Sequence, residues 1–291
     1  MQKQLINYER VNRIADLLSR LGFDGIIKFD CYEPEYIALK KIFNLNIEPK
    51  FLGLIALSAG TIDFQLGFGG AERFWGVLHE TAKEAIGLNS IENIKGLMML
   101  FLNNPVNARC LEVKKERIKK IFSKDSANWY IDNYEYLREN PEKLWKKLAQ
   151  VLRSPMNKKT IVFSMKAFDI ANLICYGDYL PFPQNIPIPV DFHVKHVTIS
   201  SGLLNQYYDD ELFRNVWSLV LNKVKYNLDR NITLLRLDSI VWQIGKLLYK
   251  CGYKRELSQK SVEEYLTRKI CIEKNLAKEI ATELTRFIDN V

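Results

Sequence analysis

The sequence predicts an all-α protein, and three observations carry that prediction. Apolar residues recur at i, i+3 and i+7 along most of the chain, the pattern of one buried helix face. Convincing β alternation is absent. Four of the nine prolines crowd into the single string LPFPQNIPIPVD, which leaves only five of these helix-disrupting residues for the rest of the chain.

The elements follow in order. In YERVNRIADLLSRLG the residues Val11, Ile14, Leu17, Leu18 and Leu21 form one stripe, and Gly22 is placed to end the helix. A short helix should begin at Pro34, because a first helical position has no use for an N–H. FLGLIALSAG reads as a buried helix, Gly67, Gly69 and Gly70 as a turn, and AERFWGVLHETAKEAIG as an amphipathic helix. Ser90 opens a helix through 102, and Pro105 a strongly charged one, VNARCLEVKKERIKKIF. Residues 128–140 read as a helix with frayed ends, followed by LWKKLAQVL and a break at Ser154, Pro155, Met156 and Asn157. A helix should then span 158–176. The proline-rich stretch 180–190 is a stiff, irregular connector, since proline fixes its own backbone and biases its predecessor toward extended geometry. Helices at 191–200, 209–226, 233–251 and 259–288 complete the chain.

Composition bounds the function. With 291 residues, 47% of them hydrophobic, the chain is long enough for one large domain or two intimate ones. No apolar run approaches the ~20 residues of a membrane-spanning helix, and MQKQLINYERVNR lacks the apolar core of a secretion signal. A soluble, cytoplasmic protein with no membrane partner is expected. The five cysteines are an odd number without any C-x-x-C pair, which points to free, mostly buried thiols rather than a thiolate metal site or a disulfide framework. A net charge of +8 suits a polyanionic partner without requiring one.

Three constellations could carry chemistry. Lys159, Phe163 and Lys166 share one helix face at i, i+4 and i+7; an aromatic core residue flanked by solvated lysine stems is the alternative reading. Asp238 and Trp242 stand at i, i+4 within RLDSIVWQIG, where the aspartate either complements the helix dipole, pairs with a cation or meets a ligand donor. Asp191, His193 and His196 could suggest metal ligation. Without a supporting carboxylate cluster, Asp191 reads better as a helix N-cap, and no metal is expected.

The string IPVDFHVKHVT resembles the aspartate motif of the helix-hairpin-helix DNA glycosylase superfamily, and NKKTIVF resembles the place where its bifunctional members keep a lysine. KTIVFSMK, LPFPQNIPIPVD and LRLDSIVW, in that order and with 32 positions from Lys159 to Asp191, are similar to the archaeal 8-oxoguanine DNA glycosylase family, AGOG. The resemblance implies a helix-hairpin-helix glycosylase fold over 1–291, with two intimate helical lobes, an active-site cleft between them and a hairpin-like segment at about 141–176. It further implies a DNA repair glycosylase and lyase that works as a monomer, without cofactor, on duplex DNA containing 8-oxoguanine, single-stranded DNA being a further candidate. Lys159 would be the nucleophile and Asp191 the catalytic aspartate. Phe163 and Trp242 would sandwich the extruded base, with Lys166, Asp238 and Trp75 as polar or edge contacts. Glu35 occupies the position at which the family reads the base with glutamine; an ionised carboxylate there could only accept hydrogen bonds.

A second departure lies in the hairpin. The superfamily's Gly-x-Gly, whose N–H groups hold a phosphate, is replaced by Arg153, Ser154, Pro155, Met156 and Asn157, and Pro155 has no N–H to give. AGOG members likewise lack the glycines. Arg153, Lys158 or the lysines of VKKERIKKIF would take over phosphate contact, although that lysine-rich helix reads equally well as a solvated face. Attack on a sugar carbon needs an unprotonated amine, and at a pKa of ~10.4 about one lysine in 2,500 is neutral at pH 7, so burial beside Phe163 and charge from Lys166 are expected to retune Lys159. A monofunctional glycosylase for another damaged purine, with Asp191 activating water, and a non-catalytic DNA-binding module are the competing readings.

Overall fold

The computed structural model describes residues 5–67, 69–85 and 87–291. Residues 1–4, part of the segment read above for targeting, and Phe68 and Ile86, which fall in the glycine-rich turn and at the end of an expected helix, lie outside it. Every regular element among the described residues is helical. In chain order the α-helices are α1 (Tyr8–Arg20), α2 (Gly22–Lys28), α3 (Pro34–Phe43), α4 (Pro49–Ile62), α5 (Gly70–Glu84), α6 (Ile91–Leu102), α7 (Leu111–Ile121) and α8 (Lys124–Asp132). They continue as α9 (Tyr134–Glu139), α10 (Pro141–Leu152), α11 (Lys159–Tyr176), α12 (Phe192–Ser200), α13 (Asp210–Leu228), α14 (Leu234–Lys250), α15 (Arg255–Glu264) and α16 (Lys274–Leu284). None is long and apolar enough to cross a membrane.

The chain divides into two compact units, residues 32–183 and, formed by both ends of the chain, residues 1–31 with 184–291. The second boundary falls inside the proline-rich connector.

In the unit 32–183 the centre is α4, whose residues from Phe51 to Ile62 are all buried. A helix this apolar on every side can only persist inside a core. It packs on α11, which is apolar for the same reason, and two glycines set the distance. A β-carbon on Gly53 would stand 2.4 Å from the Tyr130 hydroxyl and 2.8 Å from the Phe168 ring, and one on Gly60 would meet the Ser164 backbone. The segment α10–turn–α11 is a helical hairpin. Pro141 starts α10, Arg153 ends it in the left-handed region (φ 51°), and the Trp145 indole fastens the turn by donating to the Met156 carbonyl at 2.8 Å.

In the other unit, α1 packs on α13 and α16, and α12 on α14. Buried Arg10 on α1 fixes this closure by donating to the Ser201 carbonyl (2.8 Å), the Glu283 carbonyl (2.8 Å) and the Glu283 carboxylate.

Several expectations are corrected. Pro105 opens only a short 3₁₀ turn, and the charged helix starts at Leu111 after Cys110 takes a left-handed conformation. The stretch 128–140 is two helices broken at Asn133. The single helix expected at 259–288 is α15, a π-helical turn at Tyr265–Lys269, a left-handed Cys271 and then α16, capped by the Glu273 carboxylate. The thiols are free but not mostly buried: Cys31, Cys110 and Cys271 are exposed, Cys175 is intermediate and only Cys251 is buried.

Candidate active site

Five of the eight expected site residues lie in the unit 32–183, where Lys159, Phe163 and Trp75 form one group and Lys166 and Glu35 another. Lys159 is the first residue of α11 and is half-buried, with its ammonium 6.0 Å from the ring centre of Phe163 one turn on. Being at the helix start, Lys159 needs no place in the helix interior. The neighbouring Thr160 hydroxyl is held by Arg117 of α7, whose guanidinium donates to it at 2.9 Å and also to the Thr61 carbonyl.

Phe163 is likewise half-buried, and Trp75 of α5 supports it edge-on, the ring centres 6.4 Å apart. Trp75 is fully buried and donates from Nε1 to Asp63 Oδ2 at 2.9 Å. An indole N–H without such an acceptor would cost stability, so Asp63, which ends α4, sets the pose of the ring.

Lys166 does not reach back toward Lys159. It is fully buried, with Nζ 3.3 Å from Glu33 Oε2 and 3.7 Å from Glu35 Oε1, the latter on α3. Burial pushes the Glu35 carboxyl above the usual carboxylate range despite the pull of Lys166, and Asp63 adds to the rise.

The lysine-rich helix α7 is not a wholly solvated face, although Lys119 on it is exposed. Lys114 is fully buried, donates to Asn107 Oδ1 at 3.3 Å, and lies over the rings of Phe64 (5.4 Å) and Phe74 (6.0 Å). Burial lowers its pKa. In the hairpin turn, the N–H groups of Arg153, Ser154 and Lys158 are spent on Gln150, Ala149 and Pro155 carbonyls, while the Arg153 and Lys158 side chains are exposed.

The remaining three expected residues belong to the other unit. Asp191 is the N-cap of α12, its Oδ1 accepting from the Val194 N–H at 2.9 Å, as its position predicts. Trp242 of α14 is half-buried, with the His193 ring edge-on at 5.7 Å and the Lys246 ammonium 5.3 Å above it. Asp238 is buried at 3% exposure and sits a turn inside α14, deeper than an end-of-helix carboxylate would. The approach of α12 to α14 depends on Gly245: a β-carbon there would lie 2.7 Å from His193 Cβ and 2.8 Å from its carbonyl. His196 bonds through Nδ1 to the Tyr253 hydroxyl, and burial takes its pKa down to about 4.

Sequence reasoning missed Glu33, Asp63 and Arg117. The string EPE around Pro34 marked two acids close to a turn, and Asp63 followed an apolar helix directly, but no local pattern tells that their partners would be a lysine or an indole far along the chain.

Comparison with known proteins agrees with this fold and with the sequence motifs. A relative from Methanococcus maripaludis, an N-glycosylase/DNA lyase, is 26% identical over 249 residues, 82% of this chain and 88% of its own. Another of that name from Thermococcus kodakarensis is 25% identical over 283 residues, 96% of each chain. The crystal structure of the 8-oxoguanosine-complexed 8-oxoguanine DNA glycosylase from Pyrobaculum aerophilum superposes with a TM-score of 0.67 at 20% identity, covering 88% of this chain and 96% of that one. It establishes the helix-hairpin-helix type of glycosylase fold. Because the profile of the AGOG N-glycosylase/DNA lyases matches residues 15–279, nearly the whole of both units, the chain belongs to that family and is a DNA glycosylase and lyase.

Proposed function

We propose that the enzyme removes 8-oxoguanine from duplex DNA and then cuts the strand, with Lys159 as nucleophile. The observation that carries the reading is the pairing of a half-buried lysine at the start of α11 with an aromatic ring one turn further on, braced by a fully buried tryptophan. That pairing puts an amine beside a surface on which a base can stack. The substrate of the Pyrobaculum relative supports the choice of lesion.

A base inside a duplex is out of reach, so its nucleotide must be extruded, with stacking on an aromatic face such as that of Phe163 offsetting the lost base stack at about 1–3 kcal/mol. Nζ of Lys159 then attacks C1′, and the base departs with the electrons of the glycosidic bond. Positive charge develops on the sugar in that transition state, and the Asp191 carboxylate is assigned to steady it. The amine and the opened sugar form a Schiff base, and β-elimination breaks the strand on the 3′ side. The protein acts in this scheme as a monomer on double-stranded DNA, without metal or organic cofactor. Exposed Arg153 and Lys158 replace backbone N–H groups as phosphate contacts.

Borohydride reduction during reaction with a panel of duplexes, each carrying one modified base, tests the proposal. An adduct with the 8-oxoguanine duplex that is lost in Lys159→Gln supports it. Adduct formation that survives the substitution removes Lys159 from the role, and excision without any adduct replaces the lysine route by water attack.

A further inference from the structure

Lys159 stands on the residue of α11 that the local sequence secures least. The N-cap position is Lys158, whose side chain makes no capping bond and, having no acceptor, can make none. The first turn carries no acid, and Lys158 and Lys159 both set positive charge at the positive end of the helix. A helix start of this kind frays, and fraying would carry the amine away from Phe163.

Two bonds from other helices of the same unit hold the start. Trp145 on α10 fastens the preceding turn through the Met156 carbonyl, and Arg117 on α7 fastens the first turn itself. Nη1 of Arg117 donates both to Thr160 Oγ1, at 2.9 Å, and to the Thr61 carbonyl. That carbonyl is among the last four of α4, which the helix leaves without a donor, and a cation suits the negative end of α4. The Phe64 ring centre lies 4.8 Å from the guanidinium carbon. Among the described residues no carboxylate pairs with Arg117, so these contacts rather than an ion pair set its position. Thr160 is 5% exposed, and a bond to it from a charged donor is of the stronger kind.

We propose that Arg117 is the positioning residue of the nucleophile: it ties the end of α4 to the first turn of α11 through the Thr160 hydroxyl, replaces the missing cap, and keeps the Lys159 amine beside Phe163. The catalytic consequence rests on the reading of Lys159 as nucleophile; the brace itself does not. Because the brace acts through Thr160 and not through DNA, its loss should slow attack on the sugar and leave binding intact.

Amide hydrogen exchange reads the brace without DNA. The Ile161 and Val162 N–H groups close the first turn on the Lys158 carbonyl at 2.9 and 3.1 Å. In Thr160→Val, which keeps the shape and deletes the hydroxyl, and in Arg117→Met, both should exchange about tenfold faster, with Ala167 and Phe168 further along α11 unchanged. Equal acceleration along α11, or none, overturns the brace. In single-turnover reaction at saturating 8-oxoguanine duplex, Thr160→Val should slow excision and borohydride trapping alike by about tenfold to a hundredfold, with duplex affinity unchanged. Thr160→Ser, which restores the hydroxyl, should recover the rate, and Thr160→Val should add nothing to Arg117→Met, since both cut the same link. If Arg117→Met does not fold, the valine and serine variants decide alone. A valine variant as fast as wild type, a loss that serine does not recover, or a loss in affinity instead of rate overturns the positioning role. Trapping that persists in Lys159→Gln refutes the nucleophile reading instead, and the exchange pattern is unaffected by that result.

Discussion

Gly60 on α4 and Ser164 on α11 pack backbone to backbone: a β-carbon built on the glycine would stand 2.7 Å from Ser164 Cα. The obstacle is main chain, which cannot rotate aside as a flexible side-chain end can. Since α11 carries Lys159, Phe163 and Lys166, this one contact helps to fix where all three are presented. Gly76 on α5, by contrast, has nothing within 4 Å of such a carbon. Gly60→Ala should therefore destabilise by about 1–3 kcal/mol, lowering the melting temperature by roughly 2–4 °C per kcal/mol. Gly76→Ala, which only removes backbone freedom, should stabilise by about 0.5–1 kcal/mol. Equal effects in a thermal melt would show that α4 and α11 are not held this closely.

Trp75→Phe keeps an aromatic edge against Phe163 and deletes the N–H that Asp63 accepts. A loss of about 1–3 kcal/mol is expected in urea unfolding, together with weaker binding of lesion-containing DNA, because the ring supporting Phe163 loses its anchor. An unchanged urea midpoint would mean that the hydrogen bond does not hold the ring.

Arg10 is buried against the Glu283 carboxylate and two carbonyls, whereas Arg20 pairs with Glu279 at the surface, at 2.8 and 3.0 Å. Geometry alone does not rank them; solvent does. Arg10→Met takes the donors from two buried carbonyls and leaves the Glu283 carboxylate only its longer contacts to Arg13 (3.3 Å) and Arg286 (3.4 Å), so it should cost about 1–3 kcal/mol. Arg20→Ala should leave the unfolding midpoint within error, as water screens the pair it removes.

The His196 imidazole has its pKa lowered from 6.5 to about 4, first by burial and next by His193, with Asp191 opposing. A base whose folded value is depressed contributes stability that is present above its unfolded value and is lost as pH falls through the folded one. The window is thus from about 6.5 down to about 4. The stability difference between wild type and His196→Gln should be largest near neutrality and shrink through that window, measured as denaturant midpoints. A difference that stays constant with pH would assign the effect to packing alone.

At the hairpin, Arg153→Ala and Lys158→Ala should each weaken DNA binding about equally for lesion and undamaged duplex, and each should reduce the dependence of log K on log salt by about 1. Loss confined to the lesion duplex would move these residues from phosphate contact to base recognition.

Much of this protein was legible in the sequence because the information is local. The stripe of Val11, Ile14, Leu17 and Leu18 specifies α1, and all four are buried. Pro34 starts a helix, and Asp191 caps one, since capping needs only the next three residues. The failures were local rules overruled. The breaks at Cys110 and Cys271 occur at left-handed cysteines, where a reader looks for glycine or asparagine, and α16 is capped by a glutamate, which is not a preferred cap.

Side-chain pairing was not legible at all. Lysines on an amphipathic face read alike, yet Lys166 and Lys114 are buried among acids and rings while Lys158 is exposed. The sequence by itself determined the helical class, the family and the identity of the groups available for chemistry, because periodicity and motif spacing are properties of neighbouring residues. Only the tertiary structure decided that Glu33, Glu35 and Lys166 meet in one buried cluster and that Asp63 holds Trp75. Protonation and orientation depend on burial and on distances between segments remote in the chain, and no window of sequence contains them.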